Sequence, residues 1–250
     1  MMQVLTIDLW NTLVDSSNGD ERRRIRFEAL RNATRRIGEN RSDEELQNAY
    51  LAGQQVFLDV WRREHRTLTT SEIIREIWTR LGIEVPEDVH DEVVKAFAES
   101  ILHAPPRLLD GVAEVLPGLA ETNRLALISD TAFSPGSVLR QVLDRLGVAR
   151  YFTAMVFSDE AGVSKPRPEV FQMALDALDG KAEDSIHIGD IERTDVAGAK
   201  KAGFKAILYT GDPATQLIEP RQEKTAADAV LHSWYEAPAI IHRVRGAGRT

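Results

Sequence analysis

The sequence predicts an α/β fold: a doubly wound, mostly parallel sheet carrying an inserted all-α helical segment. Three observations predict it. Short apolar runs recur along the 250 residues, each bounded by turn-forming residues. In the C-terminal half these runs alternate with amphipathic stretches of helical period, as βαβ units do. Between positions 21 and 104, by contrast, every periodic stretch is helical.

The elements follow in order. Residues 4–7 form a buried-strand pattern that ends on Asp8. Helices are predicted over 21–37, 43–64, 70–81 and 87–103. Ser42 with Glu45 and Thr69 with Glu72 have capping-box spacing, and Gly38 and Gly82 supply stops. Pro86 and the pair Pro105-Pro106 punctuate the block. Further strands are predicted at 125–128, 154–157, 185–188, 206–209 and 229–231. Between them lie helices at 137–146, closed by Gly147, at 168–178, and at 195–202, stopped by Gly203. Residues 1–14 and 106–250 therefore make an α/β core. Residues 15–105 make the helical insertion, with hinges at 15–19 and 105–110. The Gly- and Arg-rich end, 243–250, is expected to fray.

Bulk properties narrow the function. A net charge of −8 and a pI near 5.4 disfavour nucleic acid and anionic membranes as partners. The absence of cysteine excludes disulfides, thiolate metal sites and cysteine nucleophiles. No apolar run approaches the roughly 18–20 residues of a membrane span, and no basic segment precedes an apolar one. A cytoplasmic protein, monomer or homodimer, is the expectation.

In doubly wound sheets, ligands gather at the C-terminal strand ends. Here four strands end in polar groups: Asp8, Ser129-Asp130, Ser158-Asp159 with Lys165 close behind, and Gly189-Asp190. A carboxylate delivered by a buried strand is a common form of nucleophile.

The ordered set resembles the haloacid dehalogenase (HAD) superfamily of hydrolases from Gln3 to about Tyr209. It consists of Asp8 through Leu13, Ser129, Lys165 within Ser164-Lys165-Pro166-Arg167-Pro168, and Gly189-Asp190 followed by Asp195. The stretch from 158 to 171 is the most family-specific piece. The resemblance implies a Rossmann-like core with a helical cap inserted after the first motif. It implies Asp8 as nucleophile, with Ser129 and Lys165 completing the catalytic set. Trp10, Ser129, Asp130 and Lys165 would contact the substrate. It also implies Mg²⁺, held by Asp8, the backbone carbonyl of Trp10 and Asp190. Asp195 would stand beside the ion, in its outer shell or through water.

Trp10 departs from the phosphatase pattern. An aspartate normally stands there and protonates the leaving group, help worth on the order of a hundred- to ten-thousandfold in rate. An indole exchanges no proton at neutral pH. Haloacid dehalogenases carry an aromatic residue at this position, usually tyrosine, because a halide leaves without a proton. They also dispense with the metal, whereas Gly189-Asp190 is retained here. A cap lysine forming a Schiff base, as in phosphonate-cleaving relatives, is disfavoured because no lysine precedes Lys95. The expectation is thus a Mg²⁺-dependent phosphatase acting on a small phosphomonoester. The alternatives are a dehalogenase of small haloacids and a catalytically silent protein that binds a phosphorylated ligand.

Plainer roles are expected at several positions. Trp10 packs against the cap, and Asp195 caps the helix that follows it. His187 fills the sheet's packing layer. Arg22, Arg23, Arg24 and Arg26 form a solvated helix face, and Phe57 and Trp61 belong to the cap core.

Overall fold

A computed structural model describes residues 3–215, 219 and 224–246. Six strands form one sheet: β1 (Gln3–Ile7), β2 (Asn123–Ser129), β3 (Ala154–Phe157), β4 (Ile186–Gly189), β5 (Lys205–Tyr209) and β6 (Ala229–Leu231). Their order is β3-β2-β1-β4-β5-β6, and every pairing is parallel. The chain winds outward from β1 through β2 to β3, then returns to the other side of β1 for β4. The order therefore reverses beside β1, which places a crevice at its C-terminal end.

Alternation along the strands builds a core on each face. On β1, Leu5 and Ile7 enter one apolar cluster, with Leu116 and Leu119 of α5 (Val112–Thr122), Leu139 and Leu143 of α6 (Gly136–Arg145), and Trp234. Val4 turns to the other face, with Val170, Phe171 and Leu175 of α8 (Pro168–Leu178) and Ala199 of α9 (Ala197–Lys201). A one-turn helix, α7 (Ser158–Ala161), follows β3 directly.

Between β1 and β2 the chain forms α1 (Gly19–Arg36), α2 (Asp43–Glu64), α3 (Thr70–Leu81) and α4 (Glu87–His103). Both capping boxes are present, Ser42 with Glu45 and Thr69 with Glu72. These helices share a cluster of their own, built on Leu30, Leu46, Tyr50, Ile73, Ile77 and Phe97. Phe133, from the loop after β2, joins it and stacks on Tyr50 with ring centroids 5.8 Å apart. The two linkers bind each other. Asp15 donates its N–H to the Arg107 carbonyl (2.9 Å), and its carboxylate accepts the Arg107 N–H (2.9 Å).

Several expectations are corrected. Helix α5 was not predicted; Pro117 and Gly118 lie inside it against local preference, and burial of Val112, Leu116 and Leu119 against the sheet outweighs them. The predicted helix at 195–202 begins earlier, in a widened turn over Glu192–Val196 where the Val196 N–H reaches the Ile191 carbonyl (3.4 Å). Residues 243–246 do not fray. They end α10 (Ala237–Gly246), anchored by buried Ile240, Ile241 and Val244, and Lys205 donates to the Val244 carbonyl (2.7 Å). Positions 247–250 lie outside the described residues.

The arginine group is also split. Arg24 is exposed and paired with Glu21 and Glu28, but Arg22 is buried and donates to the carbonyls of Ser17 (2.8 Å) and Ala104 (2.9 Å). Arg26 turns inward to Ser100 and lies over the Phe133 ring at 4.4 Å. Among the described residues, no helix is long and apolar enough to cross a membrane.

Candidate active site

Asp8 leaves β1 at its C-terminal end, where its N–H donates to the Ile188 carbonyl of β4 (2.9 Å). The chain then turns tightly through Asn11, which adopts a positive φ of 52°. Lys165 enters from the loop before α8. Its ammonium donates to Asp8, to Asp195 Oδ1 (2.7 Å) and to the Ile128 carbonyl (3.2 Å), which uses all three N–H groups. All three charged side chains of this cluster are buried.

Asp195 is held from four directions. Its Oδ1 accepts from Lys165 and faces His187 Nε2 (3.0 Å); its Oδ2 accepts from the Ile191 N–H (3.0 Å) and the Thr194 hydroxyl (3.2 Å). It therefore stands inside the widened turn and reaches back to its start, rather than capping the following helix. Gly189 makes this possible, because a Cβ there would collide with the Asp195 side chain. His187 packs edge-on against Phe171, with centroids 5.1 Å apart, as a packing-layer residue should. Its ring does more than fill space. Thr6, its register partner on β1, contacts Nδ1 (2.8 Å), so the imidazole links β1 to Asp195. Burial lowers the His187 pKa, against the pull of Asp195, which keeps the ring neutral.

Asp190 follows β4, buried, and accepts from the Thr215 hydroxyl (2.6 Å). Asp130, at the end of β2, accepts the Lys165 N–H on Oδ1 (3.0 Å) and the Trp61 indole N–H on Oδ2 (2.9 Å). Ser129 is fully buried; its hydroxyl donates to the Asp130 carbonyl (3.3 Å). It stands one layer behind the cavity surface, which Asp130, Thr131 and Ala132 form at this strand end.

These side chains line a cavity of about 300 Å³. The sheet edge supplies its floor: Asp8, Asp130, Lys165, Asp190 and Asp195. Trp10, Asn11, Ile191 and Thr194 flank the floor, and Phe57, Leu58 and Trp61 of α2 reach over it. Trp10 packs partly against the sheet core, with the Arg22 guanidinium 5.7 Å from its ring centre. Trp61 corrects its expected place in the helical core. It lies on the cavity, bonded to Asp130, with the Arg193 guanidinium 4.6 Å from its ring.

The electrostatics are lopsided. Four carboxylates, with Asp130 half-buried and the rest buried, share one ammonium. Burial pushes the Asp8 carboxyl up to about 7; Asp195 and Asp130 add to the rise and Lys165 opposes it. Burial raises Asp190 well above the carboxylate range, with Asp8 and Asp195 adding. Burial would also raise Asp195, but Lys165 and His187 hold it well below that range. For Lys165, burial favours proton loss, yet Asp195, Asp8 and Asp130 outweigh it and raise the pKa. Excess buried negative charge on hard oxygen donors is the environment a divalent cation relieves. Asp8, Asp190 and the Trp10 carbonyl fit Mg²⁺, which takes oxygen ligands and few from protein.

A family model described as a haloacid dehalogenase-like hydrolase matches residues 2–203. The chain belongs to that family. A glyceraldehyde 3-phosphate phosphatase of Pyrococcus abyssi is 34% identical over 104 residues, 41% of this chain and 42% of that protein. This chain thus spans under half the length of that relative. A phosphorylated carbohydrates phosphatase of Thermotoga maritima is 31% identical over 156 residues, 57% of this chain and 68% of that protein. The crystal structure of a 2-haloacid dehalogenase from Pseudomonas syringae pv. Tomato superposes with a TM-score of 0.71 at 23% identity. It covers 97% of this chain and 99% of that one, a likeness of fold.

Within this haloacid dehalogenase-like chain, the structure brings Asp8, Trp10, Asp130, Lys165, Asp190 and Asp195 to one cavity and leaves Ser129 behind it. Sequence reasoning missed Asn11, Phe57, Leu58, Trp61, Thr131, Ala132, Ile191 and Thr194 as lining. Asn11 carried a signal, being a non-glycine residue in a tight turn directly after the strand-end carboxylate. Phe57 and Trp61 carried only helical spacing, which does not separate a core face from a cavity face.

Proposed function

We propose that this chain is a Mg²⁺-dependent phosphatase of small phosphomonoesters, working through an aspartyl-phosphate on Asp8. The observation that carries the reading is the charge balance: four clustered carboxylates beside one ammonium suit a divalent cation and a phosphoryl group arriving together. Bound Mg²⁺ would neutralise charge between the nucleophile and the phosphoryl oxygens. Asp8, the Trp10 carbonyl and Asp190 would hold it, with Asp195 beside them.

The chain's own residues do the rest. Lys165 fixes one oxygen of Asp8 and places its positive charge where the anionic nucleophile and phosphoryl group meet. Asp195, itself fixed by His187 and the Ile191 N–H, keeps that ammonium in place. Asp8 attacks phosphorus, the ester P–O bond breaks, and the electron pair leaves on the ester oxygen. Water then attacks the aspartyl-phosphate, releasing phosphate and restoring the carboxylate. Ser129 supports the turn that presents the backbone of 130–132 to the phosphoryl oxygens. We take residues 15–105 as a cap over the 1–14 and 106–250 core, with the paired linkers at Asp15 and Arg107 as its hinge.

The dehalogenase reading has one observation in its favour, the aromatic at position 10. The retained Asp190 weighs against it, since carbon–halogen cleavage uses no cation and would leave the acidic floor uncompensated beside the haloacid's own carboxylate. The test is release of phosphate from phenyl phosphate with Mg²⁺ and with EDTA, beside Asp8→Asn. Turnover that needs both the metal and Asp8 is expected. Halide release from short 2-haloacids in EDTA, without phosphate release, would replace this reading with the second.

A further inference from the structure

Two features of the cavity bear on which phosphomonoester it takes, granted the phosphatase reading on which this inference rests. The first is its wall. Above the acidic floor, Trp10, Phe57, Leu58, Trp61 and Ile191 form an apolar, largely aromatic wall. Among the described lining residues Lys165 is the only cation, and its three N–H groups are already committed to Asp8, Asp195 and the Ile128 carbonyl. Arg193 stands behind Trp61 and outside the lining; its Nε donates to Glu219 (3.2 Å), while Nη1 and Nη2 have no hydrogen-bond partner among the described residues. A second phosphate or carboxylate on the substrate would meet no free countercharge among the described lining residues, at high desolvation cost. A flat apolar ring suits aromatic walls.

The second feature is the supply of protons. An alkoxide leaving group has a conjugate-acid pKa of about 16, close to that of water, and needs a proton as the bond breaks. A phenol-type oxygen, at about 10, departs as the anion far more readily. The described lining residues include no uncommitted acid. Trp10 gives up no proton. Both oxygens of Asp195 and both of Asp130 accept hydrogen bonds, and Asp190 is assigned to the cation. What the lining does hold is an uncommitted neutral donor. Asn11 is 1% exposed, its Oδ1 accepts from the Ser16 hydroxyl (2.7 Å), and its Nδ2 has no partner. An amide N–H stabilises an oxyanion without surrendering a proton.

We propose that the substrates are aryl phosphates, monoesters of a phenol-type hydroxyl on an apolar ring that carries no second anion. The bond between Asp8 and phosphorus forms as the P–O(aryl) bond breaks, and the pair leaves on the aryl oxygen. The water that later cleaves the aspartyl-phosphate gives up a proton, which ends on the aryloxide. Asp8 returns as carboxylate, and the products are a phenol and inorganic phosphate. No acid is required in the first step, so the tryptophan at position 10 matches this leaving group.

The test compares phenyl phosphate, benzyl phosphate and 4-carboxyphenyl phosphate on the full chain with Mg²⁺, beside Trp10→Asp. Phenyl and benzyl esters share a ring and differ in leaving-group acidity. The expected result is turnover of the phenyl ester on the order of a hundredfold or more above the benzyl ester. Trp10→Asp narrows that gap by raising benzyl turnover, and the carboxyl ring raises KM in the parent chain. Comparable phenyl and benzyl rates would overturn the inference and leave the phosphatase reading standing. A KM unaffected by the carboxyl group would overturn the exclusion of a second anion. No phosphate from any ester would overturn both readings together. The phenyl-to-benzyl ratio needs only the parent chain, so a Trp10→Asp variant that failed to fold would not spare the proposal.

Discussion

The floor and the wall of the cavity are built on different principles. On the floor, each charged side chain is fixed by several partners: Lys165 has three acceptors, and Asp195 accepts from Lys165, Ile191 and Thr194 with His187 alongside. On the wall, Phe57 and Leu58 meet the cavity as half-buried apolar surface, and the Trp61–Asp130 bond is a polar tie between α2 and the sheet edge. Positions that must hold a reacting group to fractions of an ångström are over-determined by hydrogen bonds. Positions that only shape the space for a substrate rely on packing. On the proposed function, the same chain thus separates chemistry from selectivity.

That contrast breaks most visibly at Lys165. Lys165→Met leaves Asp8 and Asp195 without their shared countercharge in a buried site, a loss of about 3–5 kcal/mol in stability. Chemical denaturation of the metal-free variant should show it, and activity should fall with it. An unchanged midpoint would mean that the floor is not held by charge pairing. Trp61→Phe is milder. It keeps an aromatic side chain, smaller than indole, but deletes the hydrogen bond to Asp130, which is worth about 1.5–3 kcal/mol when the acceptor is charged. Because Trp61 belongs to the wall, KM for the ester should rise more than kcat falls. A variant that lost kcat alone would place Trp61 in the chemistry.

The smallest effect is a pH dependence. In the folded, cation-free protein the Asp8 carboxyl is held near 7, above its unfolded value of about 4. The folded state therefore binds more protons than the unfolded state between those values, and this group's contribution to stability falls as pH rises through the window. Asp8→Asn removes the effect. In EDTA, the variant should gain stability relative to the parent chain between pH 4 and pH 7, and thermal melts at both ends of the range will read the difference. A constant difference across the range would remove Asp8 as the titrating group.

Floor and wall also differed in how far the sequence disclosed them. Asp8, Asp130 and Asp190 each follow a short apolar run, and parallel pairing with little stagger brings those run ends to one edge. Lys165 and Asp195 lie in the connections that follow, so the floor is a local pattern repeated. The wall depends on where α2 lies over the sheet. The Trp61–Asp130 contact joins residues 69 positions apart, and no local spacing announces it. The i, i+4 pair of Phe57 and Trp61 satisfies a helical core and a helical cavity face equally well. Two helices went unread: α5 carries Pro117 in its interior and forms because burial overrides that local break, whereas α10 carries Pro238 in its first turn, where proline is tolerated, and its Gly- and Arg-rich end gave no helical signal. Arginine hid another feature, since charge alone gave no sign that Arg22 and Arg26 turn inward while Arg24 faces water.

The central claim is that Asp8 carries the phosphoryl group. The direct measurement is mass spectrometry of enzyme acid-quenched during turnover of phenyl phosphate with Mg²⁺. A phosphoryl adduct on the peptide containing Asp8, absent from Asp8→Asn, is the predicted result. Sustained turnover with no adduct there, or undiminished turnover by Asp8→Asn, would contradict it.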